Sequence, residues 1–380
     1  MPSFIYNISS NSSSSNKFEI EFTRYIISLN YTLSFVQAFI ILFGVLGNLL
    51  ALIVINRRSL KNTSSAVYIT YMAIFDSCVL FLHGANLRIT SRSAFINCSL
   101  TYFTDLTIFC ANWILVLITL ERCVAVYSPF LAKRLCTVNS ARKTIYIFLT
   151  ISVIIFSVKF PFVYDLKHAF VKKKCHVHSN SGLILRIYQP ILFYAIPDLL
   201  LLSNLFTVYA LCRRTKQLAS AFLKDDGKSD MRINDINSSR KQRQLTIMLV
   251  TVSLSFYLFT TPGTIIFISE YNPVRHNDLS KTKRNFFISQ ISVILLQLNN
   301  ATNFIFYCLA GERFRQATIQ TFYEYSERLD VFYHRYILCN KQYHPVSAYR
   351  YRLSNFGATT ISRGSFSPHA TRSPFRTSTI

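Results

Sequence analysis

Apolar residues along this chain gather into seven long runs, separated by polar and mostly basic stretches. The runs cover 31–56, 66–83, 99–127, 144–164, 187–212, 245–269 and 286–310. A helix needs about 20 residues to cross the hydrocarbon core of a bilayer. Each run reaches or approaches that length, the second and fourth by the smallest margin. Seven crossings put the two termini on opposite sides. The last run carries the most chemistry: QLNNATNFIFYCLAGERFR at 297–315 holds amides at Asn299, Asn300 and Asn303, ends in Tyr307 and Cys308, and turns polar at Gly311. Amides in a soluble helix cap an end or sit exposed. In a membrane helix they face the bundle interior, because lipid offers them no partner. The break at Ala310–Gly311 and the amphipathic GERFRQATIQTFYEY after it predict a helix leaving the bilayer and a second one lying on its surface.

The pattern gives an all-α membrane protein with four parts. An arm over 1–30 precedes a seven-helix bundle over 31–310, a short membrane-surface helix over 311–325 and a disordered tail over 326–380. The tail is basic, rich in Ser, Thr and Tyr, and interrupted by Pro345, Pro368 and Pro374. The polar connection 213–243 is the longest between runs. Asn7 and Asn11 head glycosylation sequons in the arm, meaningful only outside the cell. The arm lacks the basic and early apolar segments of a cleavable signal peptide. The halves show no internal repeat, so an inverted-repeat transporter gains no support.

Composition agrees with the membrane reading. The chain is 51% hydrophobic and 15% charged, where a soluble protein carries about 25% charged residues. Its net charge of +24 invites a nucleic-acid reading, but Lys and Arg lie between the runs and in the tail, where they meet anionic lipid and set orientation. With the N-terminus outside, 27 of the 41 basic residues fall inside. The outer face still holds Arg88, Arg92, Lys167, Lys172, Lys173, Lys174, Lys281, Lys283 and Arg284. Such a field either draws in an anionic ligand group or simply touches headgroups. Glu19, Glu21 and Glu270 offer the opposite charge. Nine cysteines show no CxxC spacing, so no metal cluster or disulfide-dense scaffold is indicated. Cys98 and Cys175 stand apart, each in a polar stretch.

Asp76 is a carboxyl deep inside an apolar run, a functional hypothesis by default, with Asn48, Asn299, Asn300 and Asn303 as candidate partners. A neutral, purely structural Asp is the alternative. Asp105 lies in the outer part of run three; Lys159 and Asp198 lie towards run ends. So few buried charges do not line a transport path. Pro197 and Pro262 each remove a backbone donor and can kink a helix. Glu121-Arg122 closes run three at the membrane edge.

Taken in order, Gly47-Asn48, Met72-Ala73-Ile-Phe-Asp76, Glu121-Arg122-Cys123, Pro197, Pro262 and Asn303-Phe-Ile-Phe-Tyr307 followed by Phe314 resemble the rhodopsin-like (class A) G-protein-coupled receptors over residues 31–325. The likeness is nearest to invertebrate FMRFamide-type neuropeptide receptors, whose seventh span often lacks the usual proline. The resemblance implies a plasma-membrane, multi-pass receptor with its N-terminus outside. It would bind an extracellular ligand, a neuropeptide by that likeness, and activate a heterotrimeric G protein without being an enzyme. It also implies a Cys98–Cys175 disulfide over the ligand cavity and arrestin and receptor kinases acting on tail sites such as Ser362, Ser365, Ser367 and Ser373.

By the same resemblance, coupling and activation involve Glu121, Arg122, Thr246, Asn303 and Tyr307. A polar network, with a possible sodium ion near Asp76, involves Asn48, Asp76, Asn299 and Asn300. Asp105, Phe109, Phe256, Phe259, Thr260 and Glu270 are the cavity candidates. Several positions depart from the pattern. Thr260 stands where a Trp is usual, Leu205 where a Tyr is usual, and Ala111 where a serine often completes the ion site. Gln242, with Thr246 one turn on, replaces the acid that often restrains the arginine, so any lock there would be a neutral hydrogen bond. Gln297 occupies the retinal-lysine position and cannot form a Schiff base. The rival readings are a diverged chemosensory receptor, a decoy without coupling, and, from another class, a transporter or channel.

Overall fold

The computed structural model describes residues 13–88, 94–163, 191–199, 204, 207, 209, 210, 213, 247–266 and 279–337. Helix α1 runs Ser13–Ile55, followed by a one-turn α2 at Arg58–Lys61, α3 at Ser64–Arg88 and α4 at Ala94–Tyr127. After α5 at Pro129–Leu135 comes α6 at Val138–Val163, and then a π-helical turn at Ile191–Ala195 that opens the described part of run five. Run six is helical over Ile247–Ile266 (α7). Run seven is split into α8, Leu279–Ala301, and α9, Asn303–Ala310, and α10 follows at Glu312–Phe332. Every regular element among the described residues is helical. Five helices are long and apolar enough to cross a membrane, six when the bent α8–α9 pair counts as one span. Half of run five, the remaining crossing expected from the hydropathy pattern, lies outside the described residues.

Two boundaries differ from the sequence reading. Helix α1 begins at Ser13, so much of the arm expected over 1–30 is helical. Helix α10 and a π-helical turn at Tyr333–Ile337 carry helical structure past 325, where a disordered tail is expected. The chain divides into two compact units, one ending at Ala317 and the other starting at Thr318. The second unit contains the C-terminal part of α10 and the π turn, in which Phe332 and Tyr336 lie with ring centroids 4.9 Å apart.

In the first unit, α3 packs between α1 and α4, and α8 packs along α1. Small residues let these backbones approach, as expected where lipid supplies no hydrophobic drive between helices. At Gly44 an added Cβ would fall 2.6 Å from the Cβ of Ala301 and 2.6 Å from Cδ1 of Leu80, so the meeting of α1, α3 and α8 has no room for a methyl group. Near the start of α8, Lys283 pairs with Glu21 of α1 at 2.8 Å and lies over the Tyr25 ring. Phe22 and Phe286 meet edge to face beside them.

Run seven bends by 49° at Thr302 without a proline. The Thr302 hydroxyl donates to the Leu298 carbonyl at 2.8 Å, the back-bonding that bends helices, and the next residue turns its amide towards α3. At the end of α9, Gly311 lets the chain fold tightly: its amide donates to the Tyr307 carbonyl at 2.9 Å. Arg315 caps the carbonyls of Cys308 and Leu309.

Candidate functional site

Polar side chains inside the bundle form two connected sets, one at mid-membrane depth and one at the end of α4. In the first, Asp76 is 2% exposed and accepts a 2.7 Å hydrogen bond from Nδ2 of Asn303. Asn48 donates to the Asn300 carbonyl at 3.2 Å, and the Asn300 amide donates back to the Leu296 carbonyl. Asn300 stands just before the bend at Thr302 and Asn303 just after it, so the two sides of the bend meet α1 and α3 respectively. Three helices are joined through groups that have no partner in lipid. Asn299 is buried as well. Ala111, also buried, contributes no oxygen, and Asp76 spends one carboxylate oxygen on Asn303. The sodium expectation gains nothing from this arrangement, and no step below depends on the ion.

The second set holds Arg122. Its guanidinium donates to Oε1 of Glu121 and, at 3.4 Å, to the hydroxyl of Ser64, which itself donates to the same Glu121 oxygen. Ser64 opens α3, so the arginine is held by its neighbour and by a second helix. The other carboxylate oxygen, Oε2, and the arginine Nε are buried without a hydrogen bond. The pair is therefore only half satisfied, a cheap arrangement to rearrange. The neutral lock expected at Gln242 and Thr246 falls outside the described residues. Cys136, just after α5, points its thiol at the Glu121 carbonyl, 3.7 Å away. Burial chiefly, then the Glu121 charge, pushes the Cys136 thiol up from its ordinary pKa, while Arg122 pulls it down.

Below the first set, Tyr307 is fully buried, reaches the Met72 sulfur at 3.9 Å and packs edge to face on Phe314. The foot of α7 closes against the same elbow, for the Met248 sulfur lies 3.2 Å from where a Cβ on Gly311 would be. Ile55, Leu60, Ser65, Met248 and Phe314 line a cavity of ≈ 40 Å³ there, room for about one water molecule. The described start of α7 thus packs on the elbow between α9 and α10.

Span five is held to α4 by a route the sequence reading missed. Pro197 has no N–H, so it leaves the carbonyl four residues back without an α-helical partner, and the one five back without a π-helical one. Those carbonyls are Phe193 and Leu192. Asn112 donates to Phe193 at 2.8 Å and the Trp113 indole to Leu192 at 3.1 Å. An amide inside an apolar run and the chain's one tryptophan were the available signals.

The cavity candidates scatter. Phe109 packs among Trp113, Phe148, Phe156 and Phe193, an aromatic core between helices. Phe256 is buried in the main core, and Phe259 is half-buried. Asp105 lies close enough to Tyr194 to interact electrostatically. Thr260 is fully buried and meets Asp198, its hydroxyl 3.2 Å from Oδ1. Asp198 thus belongs to the bundle interior rather than to a run end: it is the twelfth of the 26 residues of run five, at the middle of that run. Gln297 is fully buried, with both amide atoms unpartnered. Cys98 is buried and disulfide-bonded. Cys175, Asn7, Asn11, Thr246 and Glu270 lie outside the described residues. Among the described residues no group of His, Cys, Asp or Glu could hold a metal ion.

Apolar helices long enough to cross a membrane, joined by buried amides and with a buried Glu121–Arg122 pair near the end of one of them, make this a multi-span membrane protein. The family model "7 transmembrane receptor (rhodopsin family)" matches residues 47–307, and the chain belongs to that family. The fold is therefore a seven-helix membrane bundle, and the protein is a multi-pass plasma-membrane receptor, not an enzyme, whose partners are an extracellular ligand and a G protein. The chain is similar to the thyrotropin-releasing hormone receptor of Ovis aries, 24% identical over 77% of this chain and 79% of the relative. It is also 24% identical to an FMRFamide peptide receptor of Caenorhabditis elegans, over 74% of this chain and 66% of the relative. The FMRFamide receptor of Drosophila melanogaster is 22% identical over 87% of this chain and 59% of its own length.

Proposed function

We propose that this receptor binds an extracellular peptide with its N-terminus outside the cell, and that the bound peptide favours a bundle in which Arg122 is released to a heterotrimeric G protein. The observation that carries the switching part is the half-satisfied Glu121–Arg122–Ser64 cluster. Peptide binding shifts a population between two packings; it can do so only by the difference in its affinity for the two. The peptide class is supported by the relatives, which are named for a releasing hormone and for FMRFamide peptides. The outer Glu21–Lys283 pair and the basic residues near it offer charge for a peptide end. A disulfide from Cys98 to Cys175 would tie the second outer loop over the cavity. Phosphorylation of Ser362, Ser365, Ser367 or Ser373 by receptor kinases would supply the charge that arrestin reads.

The test is a neuropeptide library, including amidated Arg-Phe peptides, applied to cells expressing the chain with a set of Gα subtypes. A saturable response from one peptide class, absent in untransfected cells, is the expected result. Silence to every peptide from a surface-displayed receptor that still signals basally would replace the peptide with another ligand class.

A further inference from the structure

We propose that Asn204 is the latch that holds span six against spans three and five in the resting bundle, and that its release opens the cytoplasmic face. Asn204 is 2% exposed. Its Nδ2 lies 2.6 Å from the Ser253 hydroxyl of α7 and 3.4 Å from the Thr119 hydroxyl of α4, so one side chain joins three spans.

The donor count explains why an amide stands there. Ser253 donates its single proton to the Leu249 carbonyl at 2.9 Å, and Thr119 donates its own to Leu115 at 3.0 Å. Both hydroxyls are left with lone pairs only, and they face a group with two N–H donors. A carboxylate at 204 would bring only acceptors to two acceptors, and an aliphatic side chain would leave both hydroxyls half-paired.

The position also fits a switch. Thr119 lies one helical turn before Arg122, on the same side of α4. One turn further along, Cys123 and Thr207 stay 3.0 Å apart and continue the seam between spans three and five. Ser253 is nine residues from Pro262, roughly 13 Å along the helix, so a swing of α7 about that proline displaces it. The Asp198–Thr260 contact lies two residues from the proline and can persist. The bond that must break on opening is therefore the one to Asn204. This inference rests on reading the chain as a receptor that opens at span six.

The experiment uses the full chain in lipid nanodiscs, as wild type, Asn204→Leu, Ser253→Ala and the double variant. Two measurements run without ligand: nucleotide exchange on a panel of Gα subtypes, and amide hydrogen exchange of residues 247–256 compared with 66–83. One neutral hydrogen bond biases an equilibrium about fivefold. Ser253→Ala should then raise basal nucleotide exchange about fivefold and Asn204→Leu about five- to thirtyfold, with the double variant no higher than Asn204→Leu. Hydrogen exchange should quicken over 247–256 and stay unchanged over 66–83. Quickened exchange confined to 247–256 with no Gα response would support the latch while overturning the coupling. Unchanged exchange over 247–256, a uniform rise along the chain, or additive effects in the double variant would overturn the latch. If Asn204→Leu fails to fold, Ser253→Ala and Thr119→Val carry the same test.

Discussion

Replacing Glu121 should raise the receptor's activity in the absence of ligand, and the structure sets the size. The Glu121 and Arg122 side chains are 8% and 11% exposed, so their pairing is little screened. A hydrogen bond between charged groups contributes about 1.5–3 kcal/mol. Only Oε1 of Glu121 is engaged and Oε2 has no partner, which puts this pair at the lower end, about 1.5 kcal/mol or roughly twelvefold. Glu121→Ala should therefore increase basal nucleotide exchange on Gα by roughly tenfold at equal surface expression. Glu121→Gln keeps a neutral acceptor for Ser64 and Arg122 and should give about fivefold. Ser64→Ala removes the weaker partner and should give about two- to fivefold. The assay is ligand-free nucleotide exchange, normalised to receptor number at the surface. Glu121→Ala at or below the wild-type rate would refute the idea that this cluster restrains Arg122.

Gly44→Ala should destabilise the bundle by about 1–3 kcal/mol through overpacking, because its Cβ would fall 2.6 Å from Ala301; thermal unfolding in detergent checks this, and Ala301→Gly should restore part of the loss. Gln297→Leu should raise the ligand-free unfolding temperature, since a buried amide without partners costs about 1–3 kcal/mol and Leu has no such groups; a lower temperature would contradict it. The raised Cys136 pKa disfavours the thiolate, so iodoacetamide modification of this residue, followed by peptide mass spectrometry, should be slow near neutral pH. It should accelerate at a higher pH than modification of a free cysteine does. Glu121→Gln, which removes a charge opposing the thiolate, should shift that curve to lower pH; an unchanged curve would remove Glu121 from the account.

Membrane chemistry made part of this site legible before any coordinates. Lipid gives an amide or carboxyl no partner, and Asp76 and Asn303 meet side chain to side chain, while Asn48 takes the main-chain carbonyl of Asn300 and the Asn300 amide turns back on Leu296. The same rule applied to Asn112 and Asn204, which the sequence reading passed over because no motif surrounded them. Ser64 was not legible: a serine at a helix start is ordinary, and only the packing of α3 on α4 brings it to Arg122. Asp198 was legible after all: it stands at the middle of run 187–212, and counting along that run puts it at mid-depth, where its burial against Thr260 places it. The bend at Thr302 was hidden, since the usual proline is absent and threonine back-bonding produces the break instead. Helix α1 reached back to Ser13 because hydropathy marks where a helix enters lipid, and says nothing of where it starts in water.

The most direct measurement is nucleotide exchange on purified Gα by the receptor in nanodiscs, for wild type, Glu121→Ala and the Glu121→Ala/Arg122→Ala double variant. A rise in Glu121→Ala that disappears once Arg122 is also removed, with both variants folded, is the result predicted for a receptor that signals by freeing Arg122. Equal exchange with and without Arg122 would contradict it.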